Sequence, residues 1–371
     1  MSPQQTNWED YDSNVFVGRK TELDKIKDWA NASRVDKRLW AIVAPAGMGK
    51  TWFLQAAQEK LRGHVSPSQR LVFFIEIPKL VKPGVGLDND AILKRLGEIQ
   101  QDARKVCPEV RAIDPAATMI SQNIDRLIND LCLHCDLHPT PIVVVDGYEE
   151  VEEKIRQDVD EQILERFFNR PECIRMLIAL RDEGSIDSFV LRKNQCLPSL
   201  PLDALADPTM QFSEFVKKHY PQVQNLTFGQ LKALPLIQGH ESGLPRITSY
   251  NWDHPYINAF LFNRALSRAM GSPASVLTRN DISECISNLI RRPDQNGHSR
   301  YMPLTLDVLG CLTKIAQSLD KEWTSDELES LDLDINDDRI NQVFQYGIIF
   351  NSTNSAQRYK VSDGLWELLR L

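Results

Sequence analysis

Much of what this chain lacks narrows its function. No apolar run approaches the ~20 residues that a membrane-crossing helix requires. There is no excess of positive charge: 43 Lys and Arg stand against 51 Asp and Glu, for a formal net charge of -8. A chain of that sign has no general electrostatic pull toward nucleic acid or an anionic membrane. The opening residues, Met1-Ser2-Pro3-Gln4-Gln5, show no basic segment leading into an apolar core, so no secretory signal is read there. Cysteine is sparse, with seven scattered residues and no disulfide-like framework. An odd count without a secretion signal points to reduced thiols and a cytoplasmic setting. The one local cluster, Cys132, His134, Cys135 and His138, fits no common zinc spacing. It reads instead as a helix end burying Leu131, Cys132 and Cys135, with His138 in the turn before Pro139.

What is present is more specific. The 371 residues, 42% hydrophobic and 25% charged, suffice for two or three globular domains. Residues 44–51 read Ala-Pro-Ala-Gly-Met-Gly-Lys-Thr and follow the apolar run Leu39-Trp40-Ala41-Ile42-Val43. That is a phosphate-binding loop between a buried strand and a helix. Gly47 and Gly49 let the backbone curl so that the N–H groups from Ala46 to Trp52, Met48 included, turn toward a phosphate. Lys50 can reach the β- and γ-phosphates, and the Thr51 hydroxyl can ligate Mg²⁺. The helix expected over 51–61 aims its positive end at the same anion. The pattern opens on Gly in G-x-x-x-x-G-K-[ST]; here Ala44 stands in that place.

Strands are expected at Leu39–Ala44, Leu71–Ile77, Pro141–Asp146 and Arg175–Leu180, alternating with helices. Three are nearly continuous apolar runs, as in parallel strands covered on both faces. The order predicts an α/β fold, a right-handed parallel sheet with helices on both faces. Patterns around Ile92–Val106 and Met119–Cys132 predict two helices inside the long stretch 84–138. Before the sheet, residues 1–38 form an entry segment with Leu23, Ile26 and Trp29 on one helical face. After about residue 200 the strand signals stop. Phe212–His219, Phe228–Leu234 and Pro255–Ala269 read as helices of a lid over 201–292. From 300 to 371 the order is helices, a hairpin of Tyr346–Phe350 and Arg358–Val361, and a short helix capped by Asp363, which predicts a winged helix.

A phosphate loop needs a partner for its metal ion. The apolar strand ending in Asp146 supplies a carboxylate that a parallel sheet brings beside the loop, able to hold Mg²⁺ directly or through water. Many such ATPases place Glu immediately after that Asp; here the position is Gly147. Glu149 can return to orient the attacking water, or Glu149 and Glu150 open the next helix, where acids are favourable. Hydrolysis is therefore expected to be slow or partner-dependent. Arg181, after the fourth strand, can sense a γ-phosphate, or it forms an exposed turn with Asp182.

Together these residues resemble the signal-transducing P-loop ATPases of the STAND class, within the wider AAA-like group. Val17-Gly18-Arg19 with Glu22-Leu23 resembles the segment that cradles adenine there. Asp146-Gly147-Tyr148-Glu149-Glu150 resembles the NACHT-type Walker B pattern, and Arg181 matches the first sensor position. The resemblance implies a lid element near the nucleotide, for which Gly243-Leu244-Pro245 and His254-Pro255-Tyr256 are the candidates. His254 and Pro255 are preferred because they open a strongly amphipathic helix. It further implies an ATP/ADP switch that opens, often into an oligomer, and works through separate sensor or effector chains.

A DNA-associated AAA-like ATPase is the competing reading, with the winged helix reading DNA. Residues 300–371 hold seven Lys and Arg against twelve Asp and Glu, and Asp337–Gly347 has Arg339 as its one base. That balance disfavours phosphate contacts. A metabolic kinase would need a second substrate pocket, for which no motif is found, and it has no use for a lid and winged helix.

Overall fold

The computed structural model describes residues 11–14, 16–32, 38–44, 47–62, 70–82, 85–112, 120–133, 140–151, 153–168, 174–181 and 199–202, then 322–333, 349–351, 358–361 and a few isolated positions. The chain divides into two compact units. One comprises Arg19–Ala44 and Lys50–Leu202; the other comprises Met1–Gly18, Pro45–Gly49 and Asp203–Leu371.

The first unit runs α1 (Lys20–Asn31), β1 (Leu39–Val43), α2 (Lys50–Arg62), β2 (Val72–Glu76), a 3-10 turn (Ile77–Leu80) and the small hairpin β3 (Val81–Lys82) and β4 (Gly86–Leu87). It continues with α3 (Asn89–Val106), α4 (Ile120–Leu133), β5 (Ile142–Asp146), a 3-10 turn (Tyr148–Glu150), α5 (Glu153–Val159), a π turn (Asp160–Leu164), α6 (Glu165–Phe168), β6 (Arg175–Leu180) and β7 (Leu200–Pro201). The five main strands form one sheet in the order β2-β5-β6-β1-β7, each pair parallel.

All four strands expected from sequence are present, as are both helices expected within 84–138. The physical reason is burial on both faces. Side chains alternate along a strand, so Leu39, Ala41, Phe73, Ile75, Val143, Val145, Met176 and Ile178 share one core with residues of α3, α4, α5 and α6, among them Leu96, Ile124, Ile155 and Phe167. The alternate residues Ile42, Val72, Val144 and Leu177 are equally buried. On α2, Phe53, Leu54 and Ala57 are buried, and α1 packs against α2 through a face that buries Ile26 and Trp29. Leu23 is half-buried.

Side chains finish what the elements leave open. Asp88 caps α3, its carboxylate accepting from the Asp90 and Ala91 N–H groups at 3.2 and 3.4 Å. The outer carbonyls of edge strand β2 are covered: Val72 accepts from Arg62 at 2.7 Å, and Phe74 from Arg95 Nε at 2.9 Å. A covered edge is a poor template for strand addition.

In the second unit, β8 (Glu322–Thr324), β9 (Ile349–Asn351) and β10 (Arg358–Val361) make an antiparallel sheet in the order β8-β10-β9. Helix α7 (Ser325–Ser330) opens on a capping box between Thr324 and Glu327. The lid helices expected at Phe212–His219, Phe228–Leu234 and Pro255–Ala269 lie outside the described residues, save Glu214, Phe215, Lys217, Lys218, Ala259 and Phe260, which are helical. Residues 134–139, with His134, Cys135 and His138, and the final helix expected from Asp363 also lie outside them. Among the described residues, no helix is long and apolar enough to cross a membrane.

Candidate functional site

The parallel sheet puts the carboxyl ends of β1, β6 and β5 along one edge, where ligands of open α/β sheets bind. Asp146 ends β5 and is 9% exposed; Arg181 follows β6 and is 8% exposed. Beyond β1, Ala44 extends the ladder by donating its N–H to the Leu180 carbonyl at 3.1 Å. The sequence places the carboxyl end of the Asp146 strand beside the phosphate loop without fixing the strand order. In the sheet, β6 lies between β1 and β5. Strands are spaced ~4.8 Å apart, so Asp146 sits two strands from Ala44, with the Arg181 strand between them.

The loop itself is described from Gly47. Gly47 and Gly49 hold φ of 78° and 83°, a conformation that L side chains rarely adopt. Met48 is buried, while Lys50, Thr51 and Trp52 open α2, all half-buried. Lys50 Nζ donates to the Ala44 carbonyl. The unexpected Ala44 now has a reason. It is a strand extension without positive φ, so a Cβ costs nothing there. Ala46, His254, Pro255 and the alternative Gly243-Leu244-Pro245 lie outside the described residues.

Val17 and Gly18 are half-buried, and Arg19 is buried at the start of α1. Gly18 and Arg19 both take left-handed φ, 74° and 58°. For Arg19 that conformation is uncommon and costs about 1 kcal/mol. Its Nη1 lies 3.4 Å from Glu22 Oε1, which holds the side chain along the first turn.

The turn after Asp146 explains Gly147. Its φ is 72°, and a Cβ there would lie 2.5 Å from Pro78 Cδ and 2.7 Å from Cγ. A glutamate at this position, as many ATPases have, is therefore blocked by Pro78. Gly147→Ala is expected to cost about 2 kcal/mol, read as a lower urea midpoint at unchanged slope. Glu149 lies in the 3-10 turn, and its Oε2 accepts the Arg181 backbone N–H. The carboxylate is thus tied to the end of β6 and does not open a longer helix.

Two further acids meet these residues. Glu76 ends β2 in register with Asp146 and is bridged to Lys79 at 2.5 Å; a second strand ending in an acid was its signal. Asp160 is 5% exposed and accepts the Tyr148 hydroxyl at 2.7 Å; no local pattern marks it. Among the described residues, no group of three or more His, Cys, Asp or Glu is placed to hold a metal ion by itself.

No protein-family model matches the chain, and no curated protein sequence matches it. Solved structures do. The Walker-type ATPase PABY2304 of Pyrococcus abyssi is similar over 100% of this chain and 99% of its own, at 12% identity and a TM-score of 0.57. The Aeropyrum pernix ORC2 protein in its ADP form is similar over 97% of this chain and 95% of its own, at 11% identity and a TM-score of 0.53. At such identities the likeness is one of fold, and that fold is the P-loop NTPase α/β sheet with flanking helices.

Proposed function

We propose that the chain binds ATP and ADP on the 44–51 loop and hydrolyses ATP slowly. One observation carries this reading: β1 runs through two left-handed glycines into Lys50 and Thr51 at the start of a 13-residue helix. Such a start offers backbone N–H groups and a positive dipole end to phosphate. Thr51 and Asp146 are hard oxygen donors of the kind Mg²⁺ takes, and the ion when bound would neutralise charge on the phosphates. Lys50 adds a point charge to them. Water adds to the γ-phosphorus, the bond to the β–γ bridging oxygen breaks, and Glu149 orients the water and receives its proton. Arg181 answers to the γ-phosphate. Val17, Gly18 and Arg19 would line the adenine, and His254 and Pro255 of the lid would complete the pocket.

The output has two readings. One is a signalling or defence switch of the STAND kind, acting through separate sensor or effector chains and a nucleotide-dependent homo-oligomer. The other is an AAA-like ATPase that works on DNA through a winged helix. The whole-length likeness to a Walker-type ATPase and to an ADP-form ORC2 protein supports the second better than the first. The acidic balance of 300–371 weighs against it. In either case nucleotide acts through its different affinity for two states.

Lys50→Ala is expected to weaken ATP binding about 100-fold, or ~2.7 kcal/mol, in titration calorimetry. Retained affinity overturns the loop assignment. A mobility shift of duplex DNA at low salt, lost as salt rises, would select the second output; its absence at low salt would leave the switch.

A further inference from the structure

The turn after Asp146 is held from three sides. Gly147 lies against Pro78. Glu149 accepts the Arg181 backbone N–H. Tyr148, 2% exposed, donates its hydroxyl to Asp160 Oδ2 at 2.7 Å. Within the turn, the Glu150 N–H donates to the Gly147 carbonyl at 3.0 Å. Three residues of one short turn are thus anchored to three separate elements.

Asp160 is an odd choice for anchoring alone. It opens the π turn Asp160–Leu164, where the Glu165 N–H donates to the Asp160 carbonyl. Single-turn π segments inside helices frequently occur at functional sites. The carboxyl is 5% exposed, and its Oδ1 has no hydrogen-bond partner among the described residues. Its charged neighbours divide: Arg156 favours the ionised form, while Glu161 and Glu165 oppose it. Burying a carboxylate costs several kcal/mol, and one hydrogen bond to a charged group returns only about 1.5–3 kcal/mol. Fold stability therefore does not account for Asp160.

Resting on the ATPase reading above, we propose that Tyr148 and Asp160 are positioning residues for hydrolysis. Asp160 fixes the Tyr148 hydroxyl, Tyr148 fixes the 3-10 turn, and the turn sets the Glu149 carboxylate against the end of β6. The pair acts through Glu149, so its loss leaves nucleotide binding intact and slows turnover.

The test uses the full chain and measures ATP turnover beside binding of a non-hydrolysable ATP analogue. Tyr148→Phe keeps the buried ring and deletes the hydroxyl. It is expected to lower kcat about tenfold with analogue affinity unchanged, the pattern of an interaction that serves the chemical step. Asp160→Asn retains an acceptor for the hydroxyl and is expected to keep kcat within about threefold. Asp160→Ala should match Tyr148→Phe, and the double variant should be no slower than either single one. Should Asp160→Ala fail to fold, Tyr148→Phe and Asp160→Asn still decide. Wild-type turnover in Tyr148→Phe, or an Asp160→Asn as slow as Asp160→Ala, overturns the pair's role. If the wild-type chain turns over ATP and Lys50→Ala abolishes it while Tyr148→Phe does not, only the positioning role falls. No turnover by the wild-type chain removes both.

Discussion

Arg175→Ala is expected to destabilise the chain by about 3 kcal/mol. Arg175 is the first residue of β6, 5% exposed, and its guanidinium donates to the carbonyls of Trp29, Ala30 and Ala32. Trp29 and Ala30 lie in the last turn of α1, whose carbonyls have no partner within the helix, and Ala32 follows directly after it. Helix α1 carries no basic residue in its own last turn. Arg175 and Arg70 supply the missing charge from the sheet; Arg70 Nη2 donates to Ala30 at 2.9 Å and its Nη1 to the Asn31 side chain at 3.1 Å. Arg175 also lies over the Trp29 ring, 5.7 Å from its centroid.

Two effects oppose here, and their sizes decide the sign. Burial pushes the Arg175 pKa down to about 10, with Arg70 and Arg38 adding like-charge repulsion. That drop below the ordinary arginine value corresponds to roughly 3 kcal/mol against the charged form. Against that stand three hydrogen bonds from a charged donor, each about 1.5–3 kcal/mol. The bonds win, and alanine would also take this donor from the Trp29 and Ala32 carbonyls, while Ala30 keeps Arg70. Arg175→Lys should recover little, because one ammonium cannot match the planar fork. Urea unfolding of both variants checks this; a midpoint within error of wild type would mean that α1 is held by its apolar face alone.

Asp160→Asn is expected to stabilise the chain by about 2–3 kcal/mol above pH 7. Burial pushes the Asp160 carboxyl up to about 6 from 3.8, offset in part by the Tyr148 hydroxyl and Arg156 and reinforced by Glu165 and Glu161. A carboxyl raised in the folded state favours folding while protonated. Its contribution is full below about pH 4, falls as pH rises through about 6, and is gone above that. The amide carries no charge to bury, so the difference between Asp160→Asn and wild type should be near zero at pH 3.5 and grow to its plateau by pH 7. A difference independent of pH would show that the carboxyl titrates normally. Paired with the turnover measurements above, a more stable variant would identify Asp160 as a residue kept at a cost to the fold.

Much of the architecture was legible because it depends on local patterns. All four expected strands are parallel members of the sheet, and three of them read as nearly continuous apolar runs because both of their faces are covered. Gly47 and Gly49 were legible as the turn from β1 into α2, because glycine takes their left-handed φ without strain. Helix α1 was legible from Ile26 and Trp29, although not what secures its end. Arg175 is 146 residues from Trp29 in the chain, and nothing in either neighbourhood announces the other. Gly147 was noted as a departure from the usual glutamate, but its cause, the Pro78 ring, comes from another strand's turn.

By itself, then, the sequence determined the strands, the helices between them and the residue types at their carboxyl ends, because hydrophobic period and turn chemistry act over a few residues. Only the tertiary structure decided that β6 lies between the loop strand and Asp146, that Glu149 meets the Arg181 backbone, and that Tyr148 finds Asp160. Strand order and buried polar pairing depend on contacts between distant segments. Those contacts are selected by how the faces of the sheet and helices fit together, and no window along the chain contains both partners.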